Sequence, residues 1–525
     1  MAATVLDWSK IKAFADKMGE GQDYPTVVIG AGLGGLCCAA YLAQQGVPVT
    51  LVEQHSIPGG YATAFERGAG RFRFEVSLHG TSINDNASAR ILRNVGVLDR
   101  LKLVELPEVY RLKTPEVDIA VPQRDPEAYI QLLSRTFPGR EAGIRSFVNE
   151  MVELSEEVGR LDRNRGKFFK LFFPLQYRRM WKIRNKTLLE FMNEHVTDPA
   201  VQNVLGSLWG YYGLPPSRLS AFYYANATGD YLRKGSFYIK ERSQNLSDAL
   251  AEAVEARGGR ILYNTPAEKI EIQNGAVKGV VLAGGNVLPA RAVVSNASAL
   301  TTFRQMVPQK AVPADYLKRL ESLKPSISSF IVWLGLNREL RGRVKGCGIH
   351  VGTGRGPEAD YLACMQGDVE KGSFSVSVYD NLYEGYSRPG TSSLMLLFLC
   401  GFEPWRRFED DYRAGRKSDY RSEKERWADI LVRRAEEVVP GLSSMIEVRE
   451  AASPLTNQRY TGNPEGAIYG FEQSMDNAFM NRIENRTPVR GLYLAGAWAN
   501  PGGGYTGVLR AGERTFEQMM EDWAG

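Results

Sequence analysis

The sequence predicts an α/β protein: a doubly wound, Rossmann-like domain built from separated stretches of chain and interleaved with a second, α+β domain. Three observations predict it. An apolar run, a glycine turn, a small-residue helix and a second apolar run follow one another from Thr26 to Glu53. A helix-then-strand unit occupies 243–298, and a strand, a glycine-rich turn and a helix close the chain at 491–523. Strands alternating with helices call for a parallel sheet covered on both faces.

In chain order, Val5, Trp8, Ile11, Phe14 and Met18 recur at helical spacing. They predict a short amphipathic helix within 1–24, packed on the body or lying at an interface. No apolar h-region follows a basic start, so no secretory signal is expected. Strand Thr26–Ile29 then leads into Gly30-Ala31-Gly32-Leu33-Gly34-Gly35, a helix to about Gln45, strand Val49–Val52 and Glu53. Gly30 permits the tight turn, Gly32 lets backbone approach a pyrophosphate, and Gly35 lets the helix pack closely on the sheet. The helix N-terminus offers free N–H groups to phosphates. Glu53 stands where a carboxylate accepts from ribose hydroxyls. Together these residues predict a bound adenine dinucleotide.

The middle unit reads as helix 247–257, strand 260–263, and strands 267–273 and 277–282 joined at Asn274-Gly275, a hairpin signal. Strand 292–295 follows. Segments 25–120, 235–305 and 445–525 are assigned to the nucleotide-binding domain, and 121–234 with 306–444 to a substrate domain. Strand-like runs at 328–336, 374–378 and 394–399 and a helix at 423–438 fall in the second half of the latter.

Composition is that of a globular protein, 43% hydrophobic and 24% charged with mean hydropathy −0.28. No apolar run approaches the ~18 residues of a spanning helix. Five cysteines without CxxC spacing and four unclustered histidines predict a reducing, cytoplasmic setting and no metal. Gly352-Thr353-Gly354-Arg355-Gly356-Pro357 repeats the glycines, but its proline falls where a helix should begin, so it reads as a loop. With one dinucleotide fingerprint, electrons are expected to pass to a quinone, oxygen or another carrier rather than NADPH, or to cycle without net redox.

The fingerprint continues into Gly59-Gly60, and the chain ends with Leu492-Tyr493-Leu494-Ala495-Gly496-Ala497 and Pro501 to Gly507. At these residues the chain resembles the flavoprotein group of amine oxidases and phytoene desaturases, whose FAD domain is discontinuous and of glutathione reductase type. Ser453 to Thr456, Gly466 to Gly470, Trp209 to Pro216 and Ala292 to Asn296 resemble carotenoid isomerases and retinol saturases within that group. The resemblance implies non-covalent FAD. Gly30, Gly32, Leu33, Gly34, Gly35, Glu53 and Gln54 would hold it from the first unit. Gly59, Gly60, Tyr61 and Ala267 follow, then Gly496, Ala497, Gly504, Tyr505, Thr506 and Gly507 at the closing helix. The sequence departs from the group in three places. Ala497 stands for an acid, Glu241 to Gln244 for a Gly-Gly, and Phe74 to His79 for a stretch that commonly carries Asp and Gly.

His79 is the leading acid–base candidate, because imidazole exchanges protons near neutrality. Glu66 and Glu75 are nominated beside it, with Arg67; Arg459 and Tyr460 are placed where they could face the flavin. Residues 160–186 carry ten cations against one acid, Asp162, interleaved with aromatics. That mixture suits a bilayer interface rather than nucleic acid and predicts peripheral membrane contact. Aromatics clustered over 209–238 suit an apolar lipid substrate. The resemblance therefore implies an FAD-dependent oxidoreductase acting on C–C/C=C bonds of an isoprenoid or polyene lipid. Desaturation, saturation and isomerisation remain open. An amine or porphyrinogen-type oxidase is the rival enzyme, and a lipid-binding escort of the same fold is the non-catalytic alternative.

Overall fold

The computed structural model describes residues 25–84, 86–161, 169–478 and 481–524. The helix expected within 1–24 and residues 162–168 of the basic stretch lie outside the described residues.

Five parallel strands form the first sheet, in the order Leu492–Leu494, Ala292–Ser295, Thr26–Ile29, Val49–Val52, Arg260–Leu262. Thr26–Ile29 and Ala292–Ser295 are buried throughout, which is why they read as unbroken apolar runs rather than alternating ones. The glycine- and alanine-rich helix Leu33–Gln44 packs between Gln244–Glu255 and the closing helix Tyr505–Ala524. Small residues permit this: a Cβ on Gly512 would lie 2.4 Å from the Gly34 carbonyl oxygen. Asn274 and Gly275 both take positive φ and close the expected hairpin between Ala267–Gln273 and Ala276–Leu282.

The second sheet has seven strands, ordered Ile446–Ala452, Ser328–Leu336, Ser392–Cys400, Phe374–Val378, Gly348–Val351, Arg111–Lys113, Asp118–Ala120. Two segments sit differently from the sequence assignment. Residues 111–120 and 446–452 pair in this sheet and not with the parallel one. Alternation shows that such short runs pair, but not with which partner.

Gly352–Gly356 is a loop as expected, but the reason given for it is corrected: a helix, Pro357–Gln366, does follow it, with Pro357 in the first turn, where the missing N–H costs nothing. Glu358 and Asp360 occupy that first turn and oppose a phosphate there.

Candidate active site

The carboxyl ends of the parallel strands converge on a cradle. Gly30 takes φ +94°, and Gly32 caps the first helix without a side chain in the way. Glu53 ends the second strand. Its Oε2 accepts from Ala31 N at 2.6 Å and its Oε1 from His55 N at 2.9 Å, so it braces the glycine turn while keeping lone pairs for ribose hydroxyls. Gly59 N donates to Ala31 O at 2.7 Å, tying the Gly59-Gly60 pair to the same turn.

Asn296, just beyond strand Ala292–Ser295, fills the space three glycines leave. Added Cβ atoms on Gly32, Gly34 and Gly496 would lie 2.6, 2.8 and 2.4 Å from its amide. A Cβ on Gly34 would also lie 2.7 Å from Gly496 N. The first and last glycine segments therefore touch, and Asn296 sits between them. The closing helix begins at Tyr505 with its first turn on the cavity. These backbone cradles, a helix N-terminus and a carboxylate fit a flavin dinucleotide.

From the cradle extends a cavity of about 1930 Å³. A pocket for one drug-sized ligand spans about 300–1,000 Å³, so a dinucleotide and a second molecule fit together. One face of the seven-stranded sheet walls it. The register places Ile331, Leu397, Ser375, His350 and Leu112 side by side in a single row across five strands. All five line the cavity, as do Ser329, Trp333 and Leu399 from the same face. Facing residues include Tyr211, Phe222, Tyr223, Tyr231 and Tyr469. Tyr223 donates to Gly503 O at 3.1 Å, joining helix Ala221–Lys234 to the last glycine segment.

Of the residues expected to hold the cofactor, Gly30, Gly32, Leu33, Gly34, Glu53, Gln54, Gly59, Gly60, Tyr61 and Ala267 line this cavity. So do Gly496, Ala497, Gly504, Tyr505, Thr506 and Gly507. Gly35 does not: a Cβ there would lie 2.2 Å from Gly30 O, so its absence serves packing of the helix on the turn. Tyr460 lines the cavity rim, and its carbonyl accepts from Gln54.

The three nominated acid–base residues separate. His79 lines the cavity, with Nδ1 2.9 Å from Ser377 Oγ. Glu66 is exposed on the hairpin Ala64–Arg67/Phe72–Glu75, off the cavity wall. Glu75 is buried behind the wall. It accepts from Ser243 N at 2.8 Å, from Ser243 Oγ and from Tyr238 OH at 3.0 Å. Burial pushes its carboxyl up; the Ser243 and Tyr238 hydrogen bonds and the Arg242 charge pull it back. Two departures from the family pattern are thus one feature. Glu75 binds Ser243 from the stretch that replaces Gly-Gly, and Arg242 beside it lies 3.4 Å over the Tyr386 ring.

Sequence reasoning missed Asn296, His350 and Arg482. His350 carried no local signal; strand pairing sets it opposite Ser375. Arg482 is buried and donates to Ala497 O, Ala499 O, Asn477 O and Gln473 Oε1, holding the last glycine segment. Burial lowers its pKa to about 10.

Burial lowers His79 to about 4 and His350 to about 3, the latter helped by His79. Both imidazoles are neutral at pH 7. In the unfolded chain they gain protons near 6.5, so between pH 6.5 and 3 the unfolded state binds more protons. Their contribution to stability is complete above pH 6.5 and is lost as pH falls toward 4 and then 3. The loss from His79 alone is roughly 3 kcal/mol. Urea midpoints measured from pH 7.5 to 4 are expected to fall, and less steeply in His79→Asn. Equal slopes in the two proteins would contradict the burial of a neutral His79.

Comparison with known proteins agrees with this geometry. The model of the family described as flavin containing amine oxidoreductase matches residues 33–520. The chain is 26% identical to all-trans-retinol 13,14-reductase of Danio rerio over 94% of its length and 86% of that protein's. It is 24% identical to the chloroplastic prolycopene isomerase of Daucus carota, over 96% and 81% respectively. An oxidoreductase structure from Methanosarcina mazei superimposes with a TM-score of 0.61 at 19% identity, covering 95% of this chain and 100% of that one. The likeness to carotenoid isomerases and retinol saturases holds, and the escort reading gives way to an enzyme. The chain belongs to the flavin containing amine oxidoreductase family and is a flavin-dependent oxidoreductase.

Proposed function

We propose that the protein holds FAD non-covalently and acts on C–C/C=C bonds of an apolar isoprenoid or polyene lipid. The observation that carries this reading is the character of the cavity wall. It is aromatic and aliphatic, and every carboxylate on it already has a partner among the described residues. Glu53 is bound by Ala31 and His55, Glu116 by Thr114, Asp230 by Ser82 and Lys234, Asp360 by Thr353, and Glu484 by Arg514. Asp230 and Glu484 are neutralised by a cation, and Glu53 belongs to the dinucleotide cradle. Among the described residues no cysteine lines the cavity, which supports a non-covalent flavin. The names of the reductase and isomerase relatives support a lipophilic substrate.

When bound, the flavin supplies hydride exchange at N5. The chain's own residues do the rest. Gly32, Gly34, Gly59 and the closing helix bind the dinucleotide, and the tyrosines and the sheet face exclude water. His79, with Ser377 on Nδ1, is the group assigned to move the proton. The domain division follows the two sheets, with 111–120 and 446–452 moved to the second.

Peripheral membrane contact is proposed at Phe169–Gln176 and Arg178–Ile183, where Leu175 and Trp181 are exposed; among the described residues no helix is long and apolar enough to cross a membrane. Leu175 is 79% and Trp181 37% exposed, while Phe173, Pro174, Met180 and Trp181 line the cavity beneath. Arg179, Lys182 and Lys186 are paired with Glu150, Glu153 and Glu194, so the free charge is smaller than the composition states. Wild-type protein is expected to pellet with anionic liposomes and Leu175→Asp to pellet less; equal recovery in the supernatant would refute the contact. The rival amine oxidase is tested by oxygen-dependent peroxide release: none is expected from an amine panel, and rapid release would displace the lipid reading.

A further inference from the structure

His350 has surroundings that the proton chemistry at His79 does not use. Its Nδ1 lies 3.1 Å from Ser375 Oγ, directly across the strand pair. Tyr110 and Tyr211 hold the ring edge-on, each with centroids 5.3 Å away. The Tyr110 hydroxyl turns to Ser207 instead. Among the described residues His350 makes no other hydrogen bond, so Nε2 is the ring nitrogen without a protein partner. The ring is partly accessible, and it lines the cavity. Of its row neighbours Leu112, Leu397 and Ile331 are apolar and Ser375 is engaged with Nδ1, so none of them offers Nε2 a partner. A polar atom in such a place costs free energy until a ligand or water meets it.

Resting on the functional reading above, we propose that His350 is a specificity residue: Nε2 pairs with a hydroxyl carried on the apolar substrate, so the enzyme prefers a polyene or isoprenoid alcohol to the bare hydrocarbon. A hydroxyl both donates and accepts, so it satisfies Nε2 in either imidazole tautomer, and Ser375 satisfies Nδ1 in both. Tyr211 packs against His350 and, at 6.3 Å, against His79, which sets the anchoring and proton-moving groups in one cavity. A site built to bond a hydroxyl rejects the analogue lacking it, because its own polar group is left unpaired.

The test titrates wild-type holoenzyme, His350→Phe, His350→Leu and His350→Gln anaerobically with a polyene alcohol and the hydrocarbon differing only by the hydroxyl. Perturbation of the flavin absorbance bands reports binding. Wild type is expected to bind the alcohol at least about tenfold tighter. Phe and Leu should bring the ratio to about one with hydrocarbon affinity kept, and Gln should retain part of it. Two apolar variants guard against one failing to hold flavin. Equal affinities in wild type, or an undiminished preference in either apolar variant, overturn the proposal while the lipid reading stands. Binding of neither lipid to wild type overturns both.

Discussion

Gly34→Ala protein is expected to purify colourless, with at least a hundredfold weaker flavin binding. A methyl at this position would lie 2.7 Å from Gly496 N and 2.8 Å from Gly496 Cα, closer than side-chain carbons approach backbone. Neither neighbour is the free end of a side chain, so one glycine segment must move off the other. The two segments are opposite walls of the cradle, and dinucleotide binding depends on backbone reaching the phosphates. The parallel strands themselves are not crowded by the change, so the fold is retained. Gly348→Ala is the control: its φ is ordinary, and nothing lies within 4 Å of the added carbon. The flavin-to-protein absorbance ratio, with circular dichroism for the fold, measures the outcome. A yellow Gly34→Ala protein at full stoichiometry would show that the cradle lies elsewhere.

Arg482→Leu is expected to lose about 3–5 kcal/mol of stability and most of its flavin. The guanidinium satisfies three backbone carbonyls and the Gln473 side chain, in a buried site where water does not replace it. Each orphaned buried acceptor costs about 1–3 kcal/mol, reduced by local relaxation. Two of those carbonyls, Ala497 O and Ala499 O, belong to the segment that meets Gly34. Release of that segment therefore reaches the cofactor as well as the fold. Arg482→Lys should recover only part, because a point ammonium does not span the fork of acceptors. Denaturant midpoints with and without added flavin separate the two losses. An unchanged midpoint for Arg482→Leu would refute the clamp.

The legible parts of this protein are those set by local chemistry. Gly30, Gly32 and Glu53 stand at spacings dictated by one turn, and the Asn274-Gly275 hairpin by another, so sequence alone places them. Gly496 to Gly507 could be read because the closing helix repeats the same strand–turn–helix grammar. What escaped depends on pairing between distant segments. His350 becomes a cavity residue only when Gly348–Val351 registers against Phe374–Val378. Asn296 becomes a brace only when strand Ala292–Ser295 lands beside Thr26–Ile29. Glu75 is nominated because it lies near His79 in the sequence; in the fold it is buried against Ser243 and Tyr238. The sequence overstates the net charge of the basic stretch for the same reason, since Glu150, Glu153 and Glu194 pair with Arg179, Lys182 and Lys186 from helices that its own composition does not reveal.

The family match establishes a flavin protein, the glycine turn and its carboxylate fit a dinucleotide, and the apolar cavity beyond them argues for a lipid. The most direct test is anaerobic incubation of the holoenzyme, with flavin oxidised and with flavin reduced, against polyene alcohols and carotenoid hydrocarbons. Flavin absorbance is followed, and products are separated by retention and mass. The expected result is a change in flavin oxidation state with a two-hydrogen change in lipid mass, or an altered lipid retention at unchanged mass under one flavin state. Lipids recovered unaltered under both flavin states, with a flavin that amines reduce, would contradict the proposed function.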